Sequence, residues 1–140
     1  MQDRPVIVVF GRYRPHELLF LLLSILWGAS ALFTEPEPDD LVNRLPTWLT
    51  LSAAGLLLIS GTFGLVGCTW RRTVEVGLGL ELGAMLIGVG GLLLSGYAFL
   101  RYGNGEAAMS TGFVAIWIVA NLWRALQIRH DLGNLRRKDG

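Results

Sequence analysis

The chain has 140 residues, of which 52% are hydrophobic and 16% charged, and its formal net charge is +1. A soluble domain carries about 25% charged residues, so this composition, with a mean hydropathy of +0.49, excludes a soluble enzyme, a nucleic-acid-binding domain and a disordered segment. It points to a small integral membrane protein; at ~20 apolar residues per spanning helix, four spans fill residues 1–140 as one membrane domain.

The first segment, Met1 to Glu17, carries Arg4, Arg12 and Arg14 and is too short to span. A Leu-rich run then predicts a first span over 16–33. Ala29-Ser30-Ala31 matches a small-x-small cleavage site, but Asp3 and Glu17 in the leading segment favour a retained helix. Two prolines and four acids in Glu35-Pro36-Glu37-Pro38-Asp39-Asp40 end the helix and keep the loop in water. The second span is predicted over 47–70, bracketed by the interfacial aromatics Trp48 and Trp70. Arg71-Arg72 makes a basic turn into a third span over 74–102, which Gly103-Asn104-Gly105 ends. The fourth span is predicted over 107–128, followed by a basic tail over 129–140 that holds Arg136, Arg137 and Lys138.

The scarce charges are sorted. With four spans, Arg12 and Arg14 of the arm, Arg71 and Arg72 of the turn, and the tail lie on one side. Counting Arg4, Arg124 and Arg129, that side holds ten of the twelve basic residues. Arg44 and Arg101 fall on the other side, with Glu35, Glu37, Asp39, Asp40 and Glu106. The positive-inside rule then places both termini in the cytoplasm.

Lipid tails are as apolar as leucine, so small residues, which let backbones approach, bring membrane helices together. On the third helix, alternating steps of four and three give the stripe Gly77, Glu81, Ala84, Gly88, Gly91, Ser95. A second stripe, Gly79, Gly83, Leu86, Gly90, contains a GxxxG and is placed beside the first. The third helix is therefore expected to be central. The second helix offers Ala53, Leu57, Ser60, Gly64, Gly67 and a neighbouring stripe ending in Cys68, and the two glycine faces are expected to meet.

Glu81 lies about 7 Å inside the third helix and Arg124 about 6 Å inside the fourth, at 1.5 Å per residue. A charge held within a span usually faces the bundle interior. Glu81 is therefore expected to pair with Arg124 or Asn121, as a static clasp or as a proton- or cation-responsive carboxylate, the alternative being separate snorkelling of the charges to the cytoplasmic interface. Glu17 stands before the first apolar run. The sequence has no nucleotide-binding, metalloprotease or hydrolase motif. One intramembrane acid does not supply both an acid and a base. No catalytic residue, cofactor or metal is expected.

The first helix opens with Arg12-Tyr13-Arg14-Pro15-His16-Glu17 and the second with Leu45-Pro46-Thr47-Trp48. These features resemble a group of small four-pass membrane proteins encoded by phages of actinobacteria, some of them holin-like. The resemblance covers the first 70 residues best and the remainder by topology only. It implies a bacterial inner-membrane location and a part in lysis or exclusion, and it carries over no functional residue. The expected protein is an all-α, four-helix membrane bundle that is not an enzyme. Its expected action is assembly in the inner membrane, with itself or with another membrane protein, and with no nucleic-acid partner. The alternatives are a small transporter or channel component using Glu81, and a scaffold or exclusion factor that binds a host protein.

Overall fold

The computed structural model describes residues 15–33, 45–70, 73–103 and 107–138. Four helices account for nearly all of them: α1, Pro15–Phe33; α2, Thr47–Thr69; α3, Val74–Tyr102; and α4, Ala107–Lys138. The arm with Arg12 and Arg14, the acidic loop from Glu35 to Asp40, the Arg71-Arg72 turn and the Asn104-Gly105 break lie outside the described residues.

Chain chemistry sets the helix ends. Pro46, which lacks an N–H, immediately precedes the first turn of α2, and its carbonyl accepts from Leu49 N at 2.9 Å. At the other end Trp70 N donates to Gly67 O. Gly103 leaves the helical conformation after α3 while its N–H still bonds Phe99 O at 3.0 Å. α4 departs from expectation. It does not stop at Ile128 but continues through the basic tail to Lys138, for 32 residues. Arg129, Gln127 and Leu132 are adequate helix formers, and the single Gly133 does not end the helix. At 1.5 Å per residue α4 is about 48 Å long, well beyond a hydrocarbon core of ~30 Å.

Thr47–Thr69, Val74–Tyr102 and Met109–Gly133 are long and apolar enough to cross a membrane, and α1 contributes the shorter apolar stretch Glu17–Phe33. Large apolar side chains cover the outside of the bundle, including Leu26, Leu100, Ile116 and Trp123, each more than 60% exposed. Water does not tolerate so continuous an apolar surface. The chain is a small multi-pass helical membrane protein.

Successive helices pack antiparallel. On the α1–α2 seam, Gly28 abuts the backbone at Ala54 and Leu58, and Gly61 abuts Leu21 and Ile25. On the α2–α3 seam, Gly67 abuts Gly77 and Glu81, and Gly91 abuts Ala53 and Leu57. α2 and α3 share the most extensive pairing, with α1 laid on α2 and α4 on α3. The centre is thus the α2–α3 seam rather than α3 alone. Large side chains bring α1 to α4: Phe20 and Trp27 pack tilted against Trp117 with ring centroids 5.6 and 6.2 Å apart.

Hydroxyl groups inside the apolar bundle find backbone carbonyls, as hydrocarbon requires. Ser24 and Ser95 donate to the carbonyls of Phe20 and Gly91, four residues back. Ser60 differs, donating across the seam to Ala84 O at 2.7 Å. Ser60→Ala should cost about 0.6–1.7 kcal/mol, the range of interhelical hydrogen bonds in membranes. Unfolding of the purified protein in micelles by titrated denaturing detergent measures this.

The two stripes of α3 behave differently. Gly77, Glu81, Ala84, Gly88, Gly91 and Ser95 are all buried. Gly79 and Gly83 face outward, where an added Cβ meets nothing within 4 Å. The expectation that they pack beside the first stripe is corrected by helix geometry. Two residues turn a helix by about 200°, so Gly79 lies on the face opposite Gly77.

Candidate functional site

α4 turns one face inward, with Val114, Trp117, Asn121, Ala125 and Ile128 buried at steps of three and four. Running antiparallel to α3, this face passes Gly96 at Val114 and Gly88 at Asn121, then reaches the level of Glu81. Arg124 turns inward at that level, between α3 and the first turn of α1.

Three charged side chains meet there. Arg124 Nη2 lies 2.7 Å from Glu81 Oε1, and Arg124 Nε donates to the same oxygen at 2.8 Å. Arg124 Nε is also 3.2 Å from Glu17 Oε1. One edge of the guanidinium thus serves two carboxylates from two helices. Glu81 is 1% exposed and Glu17 7% exposed. Both acids sit where a charge without a counter-ion is costly, in a medium of low dielectric.

Glu17 is the member that sequence reasoning missed. Counted from the apolar run it stands outside the span. It nevertheless sits in the first turn of α1, where Arg124 reaches it. The signal available was its place one helical turn before Leu21, which is itself buried. Asn121, the other candidate partner, does not meet Glu81. It lies about one turn from Arg124, beside Gly88, where an added Cβ would stand 3.3 Å from Asn121 Nδ2 and 2.5 Å from Ser60 Oγ. Gly88 therefore marks a point where α2, α3 and α4 converge on a small polar layer. Gly64 faces Leu21 of α1, and Gly67 and Gly91 close the α2–α3 seam.

A cavity of about 330 Å³ adjoins the charge cluster between α1 and α4. Glu17, Asn121, Arg124 and Gln127 supply its polar wall; Phe20 and Met85 are among its apolar residues. Its lining also includes the exposed Ile116, Val119 and Trp123, so its mouth opens on the outer surface of the bundle. Among the described residues, no group of three or more His, Cys, Asp or Glu side chains is placed to hold a metal. Comparison with family models, with curated proteins and with solved structures finds no match to this chain.

Proposed function

We propose that the chain crosses a bacterial inner membrane four times, with both termini in the cytoplasm, and acts there without enzymatic chemistry by associating with further copies of itself. α1 lies along α2 from Gly28 to Leu21, and this supports its crossing as a fourth span despite its shorter apolar stretch. The ten-to-two division of basic residues supports the orientation. The carrying observation for self-association is the outward Gly79–Gly83 pair. It is a GxxxG spacing on a candidate spanning helix, left open by the chain's own packing. Such a protein, similar to the holin-like proteins of actinobacterial phages, would act through assembly in the host membrane.

Cysteine cross-linking in membranes tests this. Gly83→Cys should give disulfide-linked dimers on mild oxidation, whereas Leu100→Cys, on an exposed face elsewhere on α3, should not. Induced expression should collapse the membrane potential, and Gly83→Leu should delay that collapse. Absence of both cross-linking and depolarisation would overturn the reading.

The second reading, a small transporter or channel component, is favoured by the burial of two carboxylates against one guanidinium in the Glu17–Arg124–Glu81 cluster. It expects Glu81→Gln to insert and assemble normally while losing activity.

A further inference from the structure

We propose that a second cavity, between α1, α2 and α3 at the end of the bundle away from the ion cluster, binds a small uncharged phenol. The inference goes beyond both readings above, since it requires neither self-association nor transport.

Four observations select this ligand. The first is the space. The cavity measures about 190 Å³, and none of the residues in its wall is an exposed one. It is an interior gap rather than a surface groove, and small side chains make it: Ala31, Ala53, Ala54 and Ala98 leave room where three helices meet. An apolar cavity of roughly 150 Å³ holds a single benzene ring, so a ring with one small substituent fits this one. The second is charge. No charged side chain stands in the wall, so an ion of either sign would lie in apolar surroundings without a counter-charge. A phenol is neutral at physiological pH, since its hydroxyl ionises only near pH ~10. The third is the aromatic wall. Trp27 and Phe99 both line the cavity and meet edge to face, with ring centroids 6.1 Å apart. A ligand ring extends that arrangement and gains more than simple apolar burial. The end of a lipid chain gains no such contact. Lipid tails are as apolar as leucine, so it also gains little by leaving the bilayer. The fourth is Ser95. It lines the cavity, is 7% exposed, and its hydroxyl donates to Gly91 O at 3.0 Å. A hydroxyl has one proton and two lone pairs, so Ser95 offers the cavity an acceptor. A phenolic O–H donates to it, whereas a plain hydrocarbon ring does not.

The test is a fluorine NMR titration of the full-length protein in lipid nanodiscs with para-fluorophenol, with protein-free nanodiscs as the partitioning blank. Saturable binding of one ligand per chain is expected. On the wild-type chain para-fluorotoluene, which has the same shape without the hydroxyl, should bind about 5-fold more weakly, the scale of one neutral hydrogen bond. The fluorocyclohexanol that keeps the hydroxyl but lacks the aromatic ring should bind about 2–10-fold more weakly. These two comparisons need no variant to fold. Ser95→Ala should remove most of the advantage of the phenol over the toluene while leaving toluene binding unchanged, which a merely structural role for Ser95 would not do. Ala98→Leu should fill the cavity and abolish binding of both. No saturable binding of para-fluorophenol to the wild-type chain would overturn the proposal and leave the cavity to lipid chain ends. Equal binding of the toluene or the cyclohexanol, a phenol advantage undiminished in Ser95→Ala, or binding that survives in a folded Ala98→Leu chain would also overturn it.

Discussion

Arg124→Ala should be the most damaging single substitution in the chain, lowering stability by about 3–5 kcal/mol. The guanidinium lies against Glu81 and Glu17, whose side chains are only 1% and 9% exposed. Its removal takes the guanidinium away from two buried carboxylates in an apolar bundle. Arg124→Lys should recover only part of the loss, because an ammonium is a point charge without the flat edge that now serves both acids. Glu81→Gln should be milder than Arg124→Ala, since an amide still accepts from the guanidinium. The Glu81→Gln/Arg124→Ala double variant should be less destabilised than the sum of its singles by roughly 0.5–3 kcal/mol, as expected for residues in one network. Denaturing-detergent titration followed by tryptophan fluorescence gives all four values. A loss below ~1 kcal/mol for Arg124→Ala would mean that water reaches the cluster freely.

Gly67→Ala should also be strongly damaging, at about 1–3 kcal/mol for a single added methyl. The new Cβ would stand 2.8 Å from Glu81 N and 2.9 Å from Gly77 O. Both atoms are backbone, so no rotamer change relieves the clash, and α2 and α3 must separate. That separation moves the backbone that carries Glu81, so Gly67→Ala should also weaken the coupling between Glu81 and Arg124. Gly28→Ala, 2.6 Å from Ala54 O, should behave alike on the α1–α2 seam. The contrast lies on the opposite face of α3. Gly79→Ala and Gly83→Ala should leave the stability of dilute, micelle-bound protein unchanged or raise it by up to ~1 kcal/mol, through helix propensity alone. The same unfolding measurement applied to the four variants separates glycines that close a seam from those that do not.

Much of this architecture is legible in the sequence, for identifiable reasons. The start of α2 and the end of α3 are readable because Pro46 and Gly103 mark helix ends chemically. The buried stripe from Gly77 to Ser95 is readable because small residues at steps of four and three leave a periodic trace. Residue counts from the helix ends bring Glu81 and Arg124 to one level, but they carry no information about rotation. Asn121 therefore stood as an equal partner, although it faces Gly88 instead. Rotation also separates Gly79 from Gly77. The place of Glu17 was hidden for a different reason. Distance from an apolar run measures depth along one helix, whereas an arginine on another helix reaches it from the side. The length of α4 was hidden because charge ends a membrane span but does not end a helix.

The ion cluster also bears on the order in which the protein is made. Glu81 precedes Arg124 by 43 residues, and Glu17 precedes both. At ~5–20 residues per second, Glu81 leaves the ribosome roughly 2–9 seconds before its counter-ion, and Glu17 waits longer still. Glu81, 1% exposed in the finished bundle, cannot be sealed there at lasting low energy during that interval. α1, α2 and α3 must therefore remain loosely associated, or keep Glu81 at the membrane surface, until α4 arrives. Of the four described helices, the one synthesised last thus completes the cluster that holds α1.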